Sequence, residues 1–439
     1  MERPAPVPSD RAETLAAHAG DDPFRFLGAA APPIFETSTF VFRSVADALA
    51  AFADEQEHYV YTRRRNPTVR VVEEKLAALE GAAECRLFAS GMAAISAAIL
   101  SCVGAGDHVV CVDTAYGPAR AFITGYLSRF GISATLVDGC DPAEWEAAVR
   151  PNTRLFYLES PSSGLMKLQD LAAVTALARR HGIATICDNS YATMLLQRPL
   201  ELGVDLVVYS CSKYFGGHSD VLAGAVLGPA ERIRRIGDAE QPLLGGVVGP
   251  FEAWLIGRGL RTLPLRLRQH QQSAGRVAEF LAGHPRVARV HYPGHPSHPQ
   301  HGLALRQMRG ASGLLSFELD TGDLKQVSRF VDALRLFRLG VSWGATSPWC
   351  GCRSSARCTA RPRSSGRTRG WSASTSGWRM WTISSKTSTG PCGRCRRTLH
   401  NRAPSPPPAH TSAEGREGAP CCPVLRGTGV SGSSTGRGC

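Results

Sequence analysis

The fold is decided by residues 153–213, which read TRLFYLESPSSGLMKLQDLAAVTALARRHGIATICDNSYATMLLQRPLELGVDLVVYSCSK. Three runs in this stretch, 153–159, 184–187 and 205–209, are apolar almost throughout and are bounded by Gly, Asp or Asn. Such runs are typical of strands that are buried on both faces of a sheet. A fourth run of the same kind, 107–112, precedes them. We therefore predict that these four runs form strands of one sheet.

The segment between the first two of these predicted strands has the pattern of a helix. Residues 167–181 carry Leu or Val on one helical face, and Gly182 follows as a C-cap. Strand, helix and strand at this spacing predict a right-handed βαβ unit, and hence an α/β fold with a mostly parallel central sheet. Ligands of such sheets bind beyond the carboxyl ends of the strands. Helical patterns over 249–286, followed by alternating runs near 287–292 and 314–319, predict a smaller C-terminal α+β domain.

The positive charge of the chain is confined to its C-terminal part. The 439 residues have a formal net charge of +13. Residues 345–439 contain 15 basic and 2 acidic side chains, so that residues 1–344 contain 35 of each sign. The same segment holds 8 of the 14 cysteines and few Leu, Ile or Val, a composition that cannot bury enough apolar surface to offset chain entropy. We expect a disordered tail and a neutral body long enough for one large or two ordinary domains.

The cysteines and the apolar runs of the body indicate a compartment. Six cysteines are scattered over residues 1–344, several of them in apolar runs, as buried free thiols are. No apolar run approaches the roughly 20 residues that a membrane span needs, and the N-terminus lacks a hydrophobic signal core. We therefore expect a soluble, cytoplasmic protein that binds no membrane.

Polar side chains follow two of the predicted strands. Asp188 comes directly after 184–187, and Lys213 comes shortly after 205–209. Burial of a lysine at such a place would suppress its charge and allow it to act as a nucleophile or base. Taken alone, the pattern favours an exposed loop lysine, and a helix N-cap is as good an interpretation of Asp188.

Five motifs go beyond these general patterns. In chain order they are Tyr61-Thr-Arg-Arg-Arg-Asn-Pro-Thr68, Ser90-Gly-Met92, Glu159-Ser-Pro161, Asp188-Asn-Ser-Tyr191 and Ser210-Cys-Ser-Lys-Tyr-Phe-Gly-Gly-His218. Together they resemble the motifs of the Cys/Met-metabolism (trans-sulfuration) family of pyridoxal-phosphate (PLP) enzymes, over about residues 12 to 344. The resemblance implies a type I PLP-dependent transferase (aspartate-aminotransferase-like) fold. It also implies a small amino-acid substrate and a homotetramer that is a dimer of dimers with shared active sites.

The resemblance implies roles for residues around the cofactor ring. Lys213 is expected to bind the aldehyde of pyridoxal 5'-phosphate covalently and then to take the Cα proton of the substrate. Asp188 is expected to pair with the pyridine nitrogen and to keep it protonated. Tyr116 matches the tyrosine that stacks on the ring, although a loop aromatic that fills a gap would otherwise be the simpler interpretation.

Further residues are implied to bind the phosphate and the substrate. Gly91 and Met92 would offer backbone N–H groups to the phosphate at a helix start. Ser210 and Ser212 would add hydroxyl groups. The remaining implied residues are Tyr61 and Arg63, which reach the phosphate of the neighbouring subunit, and Ser342, Trp343 and again Tyr61 at the substrate.

Trp343, together with the Gly-Tyr-Glu that a restored reading frame would place after it, resembles the β-lyase branch of the family. The implied activity is a PLP-dependent carbon–sulfur lyase that converts cystathionine to homocysteine, pyruvate and ammonia by β-elimination. The alternative is a γ-acting member, namely a cystathionine γ-synthase, a γ-lyase or an acylhomoserine sulfhydrylase, because the cofactor residues are common to all of them.

A histidine-rich segment invites a metal interpretation. Residues 291–301 read HYPGHPSHPQH, but prolines separate the histidines and similar segments occur in the family without metal. We therefore expect no metal here.

The tail has the properties of a shifted reading frame. At this place the β-lyase branch has a sequence that resembles Trp-Gly-Gly-Tyr-Glu-Ser-Leu, whereas this chain has Trp343-Gly-Ala-Thr-Ser-Pro-Trp349. The codons GGC TAC GAG TCC CTG, after loss of one G, read GCT ACG AGT CCC TG, which encodes Ala-Thr-Ser-Pro and begins the Trp codon. One added base likewise turns 374–381 into Leu-His-Ile-Gly-Leu-Glu-Asp-Val, which the substrate-carboxylate arginine of the family precedes. We hypothesise a single-base deletion near codon 345, so that the present chain binds cofactor but turns over little or not at all.

The tail also has a functional interpretation, as an Arg-rich segment that binds nucleic acid or as a zinc site. The cysteines concerned are Cys350, Cys352, Cys392 and Cys395. A gap of 39 residues between the two pairs is poor for zinc, and no aromatics are interleaved at a readable period. We therefore expect neither ligand. The predicted organisation is an inter-subunit arm at 1–60, a PLP-binding domain at 61–255, an incomplete small domain at 256–344 and an out-of-frame tail at 345–439.

Overall fold

A computed structural model describes residues 11–346 and the backbone of two later strands, Trp349–Arg353 and Arg379–Ile383. The helices of these residues are α1 Ala12–His18, α2 Val45–Ala53, α3 Pro67–Glu80, α4 Gly91–Leu100, α5 Gly117–Ala121, α6 Pro142–Ala147, α7 Leu171–Arg180, α8 Thr193–Leu196, α9 Ala230–Asp238, α10 Glu240–Leu244, α11 Pro250–Leu260, α12 Leu263–Ala282, α13 His301–Gln307 and α14 Leu324–Asp332. The strands are β1 Glu84–Phe88, β2 His108–Val112, β3 Ser133–Val137, β4 Thr153–Glu159, β5 Ala184–Asp188, β6 Leu206–Ser210, β7 Gly224–Gly228, β8 Val287–His291, β9 Leu314–Leu319, β10 Arg338–Leu339, β11 Trp349–Arg353 and β12 Arg379–Ile383.

The first sheet has seven strands in the order β1-β7-β6-β5-β4-β2-β3. The pairs from β6 through β5, β4 and β2 to β3 are all parallel, and only β7 runs against its neighbours β1 and β6. The mostly parallel sheet predicted from the sequence is therefore confirmed. Its central strands are buried almost throughout, as their continuous apolar runs require.

One helix begins later than the apolar spacing predicts. The pattern suggests a helix over 167–181, but α7 starts at Leu171 because Asp170 acts as its N-cap. The Asp170 carboxylate accepts a hydrogen bond from Ala173 N at 3.1 Å. Gly182 follows the helix with φ of +64°, as expected of a residue that ends a helix in the left-handed region.

The second sheet has the order β10-β11-β12-β9-β8 and is antiparallel except for the pair β10–β11. Its apolar core is separate from that of the first sheet and includes Phe317, Val327, Ala274 and Ala278. The 20-residue helix α12 joins the two cores, since Leu267 in its first half packs in the core of the large sheet. This is the smaller α+β unit that the sequence predicts.

The predicted domain bounds stay predictions. The proposed boundary between residues 255 and 256 falls inside α11. Residues 345 and 346 and strands β11 and β12 fall within the segment interpreted as an out-of-frame tail, and the rest of that segment, with Cys392 and Cys395, lies outside the described residues. Among residues 11–346, no helix is long and apolar enough to cross a membrane.

Candidate active site

Lys213 lies in the loop that follows β6, with its amine directed to the last described residues of the body. Its backbone N–H donates to Ser210 O at 3.1 Å. Its Nζ donates to Ser342 Oγ at 2.9 Å and lies 5.6 Å from the ring centroid of Trp343. Burial lowers the pKa of Lys213, and the nearby Asp188 carboxylate partly opposes this shift. The lysine is therefore a partly desolvated amine rather than an exposed loop residue.

Asp188 ends β5 and is 6% exposed. Its Oδ1 accepts a hydrogen bond from Ser190 N at 2.9 Å. Burial raises the pKa of this carboxyl, whereas the Ser190 hydrogen bonds and the charge of Lys213 lower it. It does not cap the next helix, because α8 begins at Thr193. A buried carboxylate at a strand end, close to a lysine amine, can bind a protonated ring nitrogen.

Glu159 is a site residue to which the sequence assigned no role. It ends β4 and pairs in parallel register with Asp188, so two carboxyl groups lie side by side at this edge of the sheet. Its Oε2 accepts a hydrogen bond from Tyr116 N at 2.6 Å. Burial and then the charge of Asp188 raise the pKa of Glu159. Its place in the Glu159-Ser-Pro161 motif, at the end of a strand, was the signal that could have found it.

Tyr116 lies at the N-cap of α5 and is 39% exposed. The Glu159 contact ties its backbone to the strand next to Asp188. Of the two interpretations of Tyr116, an aromatic that fills a gap is therefore the weaker, because its side chain is not buried.

The N-terminus of α4 provides backbone donors. Gly91 and Met92 are the first residues of this helix, and such N–H groups have no acceptor within their own helix. The Oγ of the N-cap, Ser90, accepts instead from Ala93 N at 3.1 Å. A Cβ added to Gly91 would lie 3.1 Å from Ser210 Oγ, so the helix start and the end of β6 are in close contact. This cradle of N–H and hydroxyl groups suits an anion.

Ser212 Oγ has partners of its own. It accepts from Ala223 N at 3.0 Å and donates to Ala223 O at 3.3 Å. It lies between Cys211 and Lys213, on the loop that carries the amine. The donor set as a whole has the chemistry that pyridoxal 5'-phosphate requires: an anion cradle for the phosphate, a carboxylate for the ring nitrogen and an amine for the aldehyde.

Tyr61 and Arg63 line one cleft together. The Arg63 guanidinium lies 5.9 Å from the ring centroid of Tyr61, and its Nη1 donates to Pro242 O at 3.4 Å. Tyr61 is 45% exposed. The cleft has a volume of about 450 Å³ and is lined by Glu36, Thr37, Ser38, Tyr61, Thr62, Arg63, Gly245 and Val247. The predicted contact of Tyr61 and Arg63 with the phosphate of a neighbouring subunit stays a prediction.

The histidines of 291–301 each have a different partner. The imidazole of His291 contacts Glu318 at 2.8 Å, and that of His295 contacts Glu279 at 3.2 Å. His301 Nδ1 lies 2.8 Å from Pro293 O. Within the described residues no three His, Cys, Asp or Glu side chains converge in a way that could hold a metal ion.

Comparison with known proteins identifies the family to which the chain is similar. The sequence profile described as "Cys/Met metabolism PLP-dependent enzyme" matches residues 13–364. The L-methionine gamma-lyase of Porphyromonas gingivalis is 45% identical over 335 residues, which cover 76% of this chain and 84% of that protein. The probable cystathionine gamma-synthase of Herpetosiphon aurantiacus is 43% identical over 309 residues, which cover 70% of this chain and 94% of that protein.

A solved structure shows the same fold. The crystal structure of metB from Corynebacterium glutamicum superposes with a TM-score of 0.74 at 33% identity, and the match covers 78% of this chain and 86% of that one. The expected type I PLP-dependent transferase fold is thus confirmed. These matches and the donor set at the sheet edge lead to one conclusion: the chain belongs to the Cys/Met metabolism PLP-dependent enzymes, and its cofactor is pyridoxal 5'-phosphate.

Proposed function

We propose that this chain acts at Cγ of its amino-acid substrate, by elimination or replacement of a γ substituent. The relatives reported above are named for γ chemistry, one as a methionine γ-lyase and one as a cystathionine γ-synthase. They favour the γ-acting alternative named in the sequence analysis over the β-elimination of cystathionine. A methionine-like thioether or a cystathionine-like thioether is the substrate class that follows.

The observation that supports elimination chemistry is the position of the Lys213 amine, which is partly buried and hydrogen-bonded to Ser342. Bound PLP supplies a sink for the electrons of the bond that is broken at Cα. Burial lowers the pKa of Lys213 and so favours the neutral amine, which is the form that accepts a proton. Ser342 Oγ, 2.9 Å from Nζ, fixes the direction of the amine. Elimination at Cγ requires proton removal from Cα and from Cβ, and one amine on a flexible stem can reach both neighbouring carbons.

The second candidate remains β-elimination, because Trp343 lies beside Lys213. The tryptophan ring contacts Tyr214 edge-on at 5.4 Å between centroids and faces the amine. The resemblance to the β-lyase branch rests on this residue and on the restored Gly-Tyr-Glu. A bulky indole at the amine would suit a substrate whose reacting centre is close to Cα.

The keto acid produced from cystathionine separates the two candidates. γ-Elimination from cystathionine, followed by hydrolysis of the unsaturated product, yields cysteine, 2-oxobutyrate and ammonia, whereas β-elimination followed by hydrolysis yields homocysteine, pyruvate and ammonia. The assay should use the present chain and a chain whose frame is restored at codon 345, with Lys213→Ala of each as the control. We expect 2-oxobutyrate, also from L-methionine together with methanethiol. Pyruvate as the sole keto acid would overturn the proposal for γ chemistry.

We further propose that the chain forms a dimer of dimers in which Tyr61 and Arg63 reach the cofactor phosphate of the neighbouring subunit. The predicted arm supports this, since Val41 is 93% exposed and Val45 is 76% exposed. Light scattering with and without cofactor tests the assembly. A monomer under both conditions would exclude it.

A reducing cytoplasm is part of the same proposal. The six cysteines within the described body are all free thiols, and four of them are buried. Nucleic acid is not an expected partner, because the body of the chain has equal numbers of positive and negative side chains.

A further inference from the structure

Arg266 is a buried cation behind the loop that carries Lys213. It is 5% exposed and lies in the first turns of α12. Its guanidinium donates to the backbone carbonyls of Tyr214 (2.6 Å), Gly259 (2.6 Å) and Phe215 (3.4 Å) and to Thr262 Oγ1 (3.1 Å). Two of these carbonyls belong to the residues that directly follow Lys213.

The acceptors of Arg266 are carbonyl and hydroxyl oxygens rather than carboxylates. A buried guanidinium is costly unless fixed dipoles or charges stabilise it. Gly259 lies in the last turn of α11, where the negative end of the helix dipole favours a cation. Burial lowers the pKa of Arg266 to about 10, which still leaves it charged at neutral pH. The cation therefore orders backbone rather than neutralising an acid.

Glycines lie where the backbone comes close to Arg266 and to the lysine loop. Gly217 has φ of +73°, and a Cβ on it would lie 2.2 Å from Arg266 Nη1. A Cβ on Gly259 would lie 2.1 Å from Phe215 O. Gly217 N also donates to Lys213 O at 2.8 Å, which closes the turn behind the lysine. Glycines thus allow the guanidinium to approach this turn closely.

The helix that carries Arg266 belongs to both cores. Its first half, with Leu263 and Leu267, packs in the core of the large sheet, and its second half, with Ala274 and Ala278, packs in that of the second sheet. Arg266 is therefore one point at which this helix holds the lysine loop, and His270, whose ring lies 5.3 Å from that of Tyr214, is another.

We propose that Arg266 is a positioning residue that fixes the backbone of residues 213–217 and thereby the direction from which the Lys213 amine enters the site. This role goes beyond the proposed γ chemistry, because it holds for any reaction that uses this amine. Arg266 itself does not contact substrate or cofactor in this proposal.

The variants Arg266→Met and Arg266→Lys test this role. Arg268→Met is the matched control, because Arg268 lies two residues further on the same helix, is exposed and contacts only Glu13 among the described ion pairs. Two readouts are needed, neither of which depends on turnover. The first is hydrogen exchange of the Gly216 and Gly217 amides, which donate to Cys211 O and Lys213 O at 2.8 Å, in cofactor-free protein. The second is the rate at which PLP attaches to Lys213 across pH, followed by absorbance.

We expect Arg266→Met to speed exchange of these two amides at least about tenfold and to slow attachment at least about tenfold, since the carbonyls of Tyr214 and Phe215 lose the guanidinium as a donor. Exchange in β2 and β4 should not change. Arg266→Lys should be intermediate, because it keeps the positive charge but lacks the planar guanidinium fork that spans these acceptors. Arg268→Met should match the unmodified chain.

Two results would overturn the proposal. One is a folded Arg266 variant with unchanged exchange and unchanged attachment. The other is faster exchange in β2 and β4 to the same extent as at Gly216 and Gly217, which would indicate general destabilisation. If Arg266→Met fails to fold, Arg266→Lys decides: local exchange with slow attachment supports positioning, and unchanged values refute it.

Discussion

The amine of Lys213 donates to Ser342 Oγ across 2.9 Å, although the two residues are 129 positions apart in the chain. The residues that follow Ser342 also contact the lysine loop. A Cβ on Gly344 would lie 2.9 Å from Tyr214 N, and Thr346 N donates to Gly217 O at 3.1 Å. The last described residues of the body are therefore one wall of the site.

Replacement of Ser342 by Ala should lower the pKa of Lys213 further. Removal of the oxygen acceptor costs the ammonium form of Lys213 more stabilisation than the neutral form, because charge-assisted hydrogen bonds are about twice as strong as neutral ones. We expect the pH midpoint of PLP attachment to move down by about one unit, which corresponds to about 1.4 kcal/mol. Ser128→Ala, in an exposed turn, is the control. An unchanged midpoint would mean that Ser342 does not hold the amine.

Replacement of Asp188 by Asn should weaken PLP binding. A buried carboxylate forms a charge-assisted hydrogen bond to a protonated ring nitrogen, and an amide cannot supply the charge. Loss of about 1.5–3 kcal/mol predicts a Kd for PLP that rises about tenfold to a hundredfold. Asp205→Asn serves as the control, since Asp205 precedes β6 and bonds Thr185 N at 2.8 Å. Equal affinity of Asp188→Asn and the unmodified chain in an absorbance titration would contradict this role.

Substitutions of Glu159 should separate its charge from its hydrogen bond. Gln keeps an oxygen that can accept from Tyr116 N, whereas Ala removes it. We therefore expect Glu159→Gln to bind PLP within about threefold of the unmodified chain and Glu159→Ala to bind it about tenfold more weakly, since a buried N–H is left without an acceptor. Glu146→Ala, on the surface, should change nothing. If Glu159→Gln and Glu159→Ala lose the same affinity for PLP, the charge of Glu159 and not its hydrogen bond would be responsible.

Local pattern was enough to predict the central strands but not the site. Continuous apolar runs identify β4, β5 and β6, with Asp188 at the end of β5 and Lys213 shortly after β6. The pattern alone favoured an exposed lysine and a helix N-cap, and the resemblance to the family implied the roles of these two residues. Contacts between distant segments were beyond this reasoning. Arg266 looks like one basic residue among several on an amphipathic helix, and its role arises only when α12 folds against a loop 52 positions earlier. Glu159 gains its role through strand pairing with Asp188.

Glu80 should make the stability of the chain fall as pH rises. It is 1% exposed, and Tyr209 OH donates to its Oε2 at 2.5 Å. Burial raises the pKa of Glu80 to about 8, whereas an unfolded glutamate titrates near about 4.3. The folded state thus binds more protons between these values, so its contribution is fully present below about pH 4 and is lost as pH rises through about 8.

Glu80→Gln removes this titration and should flatten the dependence. Denaturant unfolding of cofactor-free protein at about pH 5 and about pH 8 gives the two free energies of unfolding. The decrease between them should be smaller in Glu80→Gln than in the unmodified chain, by an amount that approaches about 1.4 kcal/mol per unit of pKa shift. The exposed Glu231→Gln should keep the original decrease. The same decrease in all three proteins would show that Glu80 is not held protonated.

Restoration of one base near codon 345 should raise turnover without changing cofactor binding. The cofactor residues described above precede this codon, so the present chain and the restored chain should bind PLP with similar Kd. The restored sequence regains the arginine expected to bind the substrate carboxylate bidentately, and loss of such an anchor costs orders of magnitude in rate because it orients the Cα–H bond. We expect kcat/KM for the thioether substrate to rise at least about a hundredfold. Resequencing of the gene is the direct check. An unbroken frame there, together with full turnover by the present chain, would show that residues 345–439 are native and that the carboxylate is bound by a different residue.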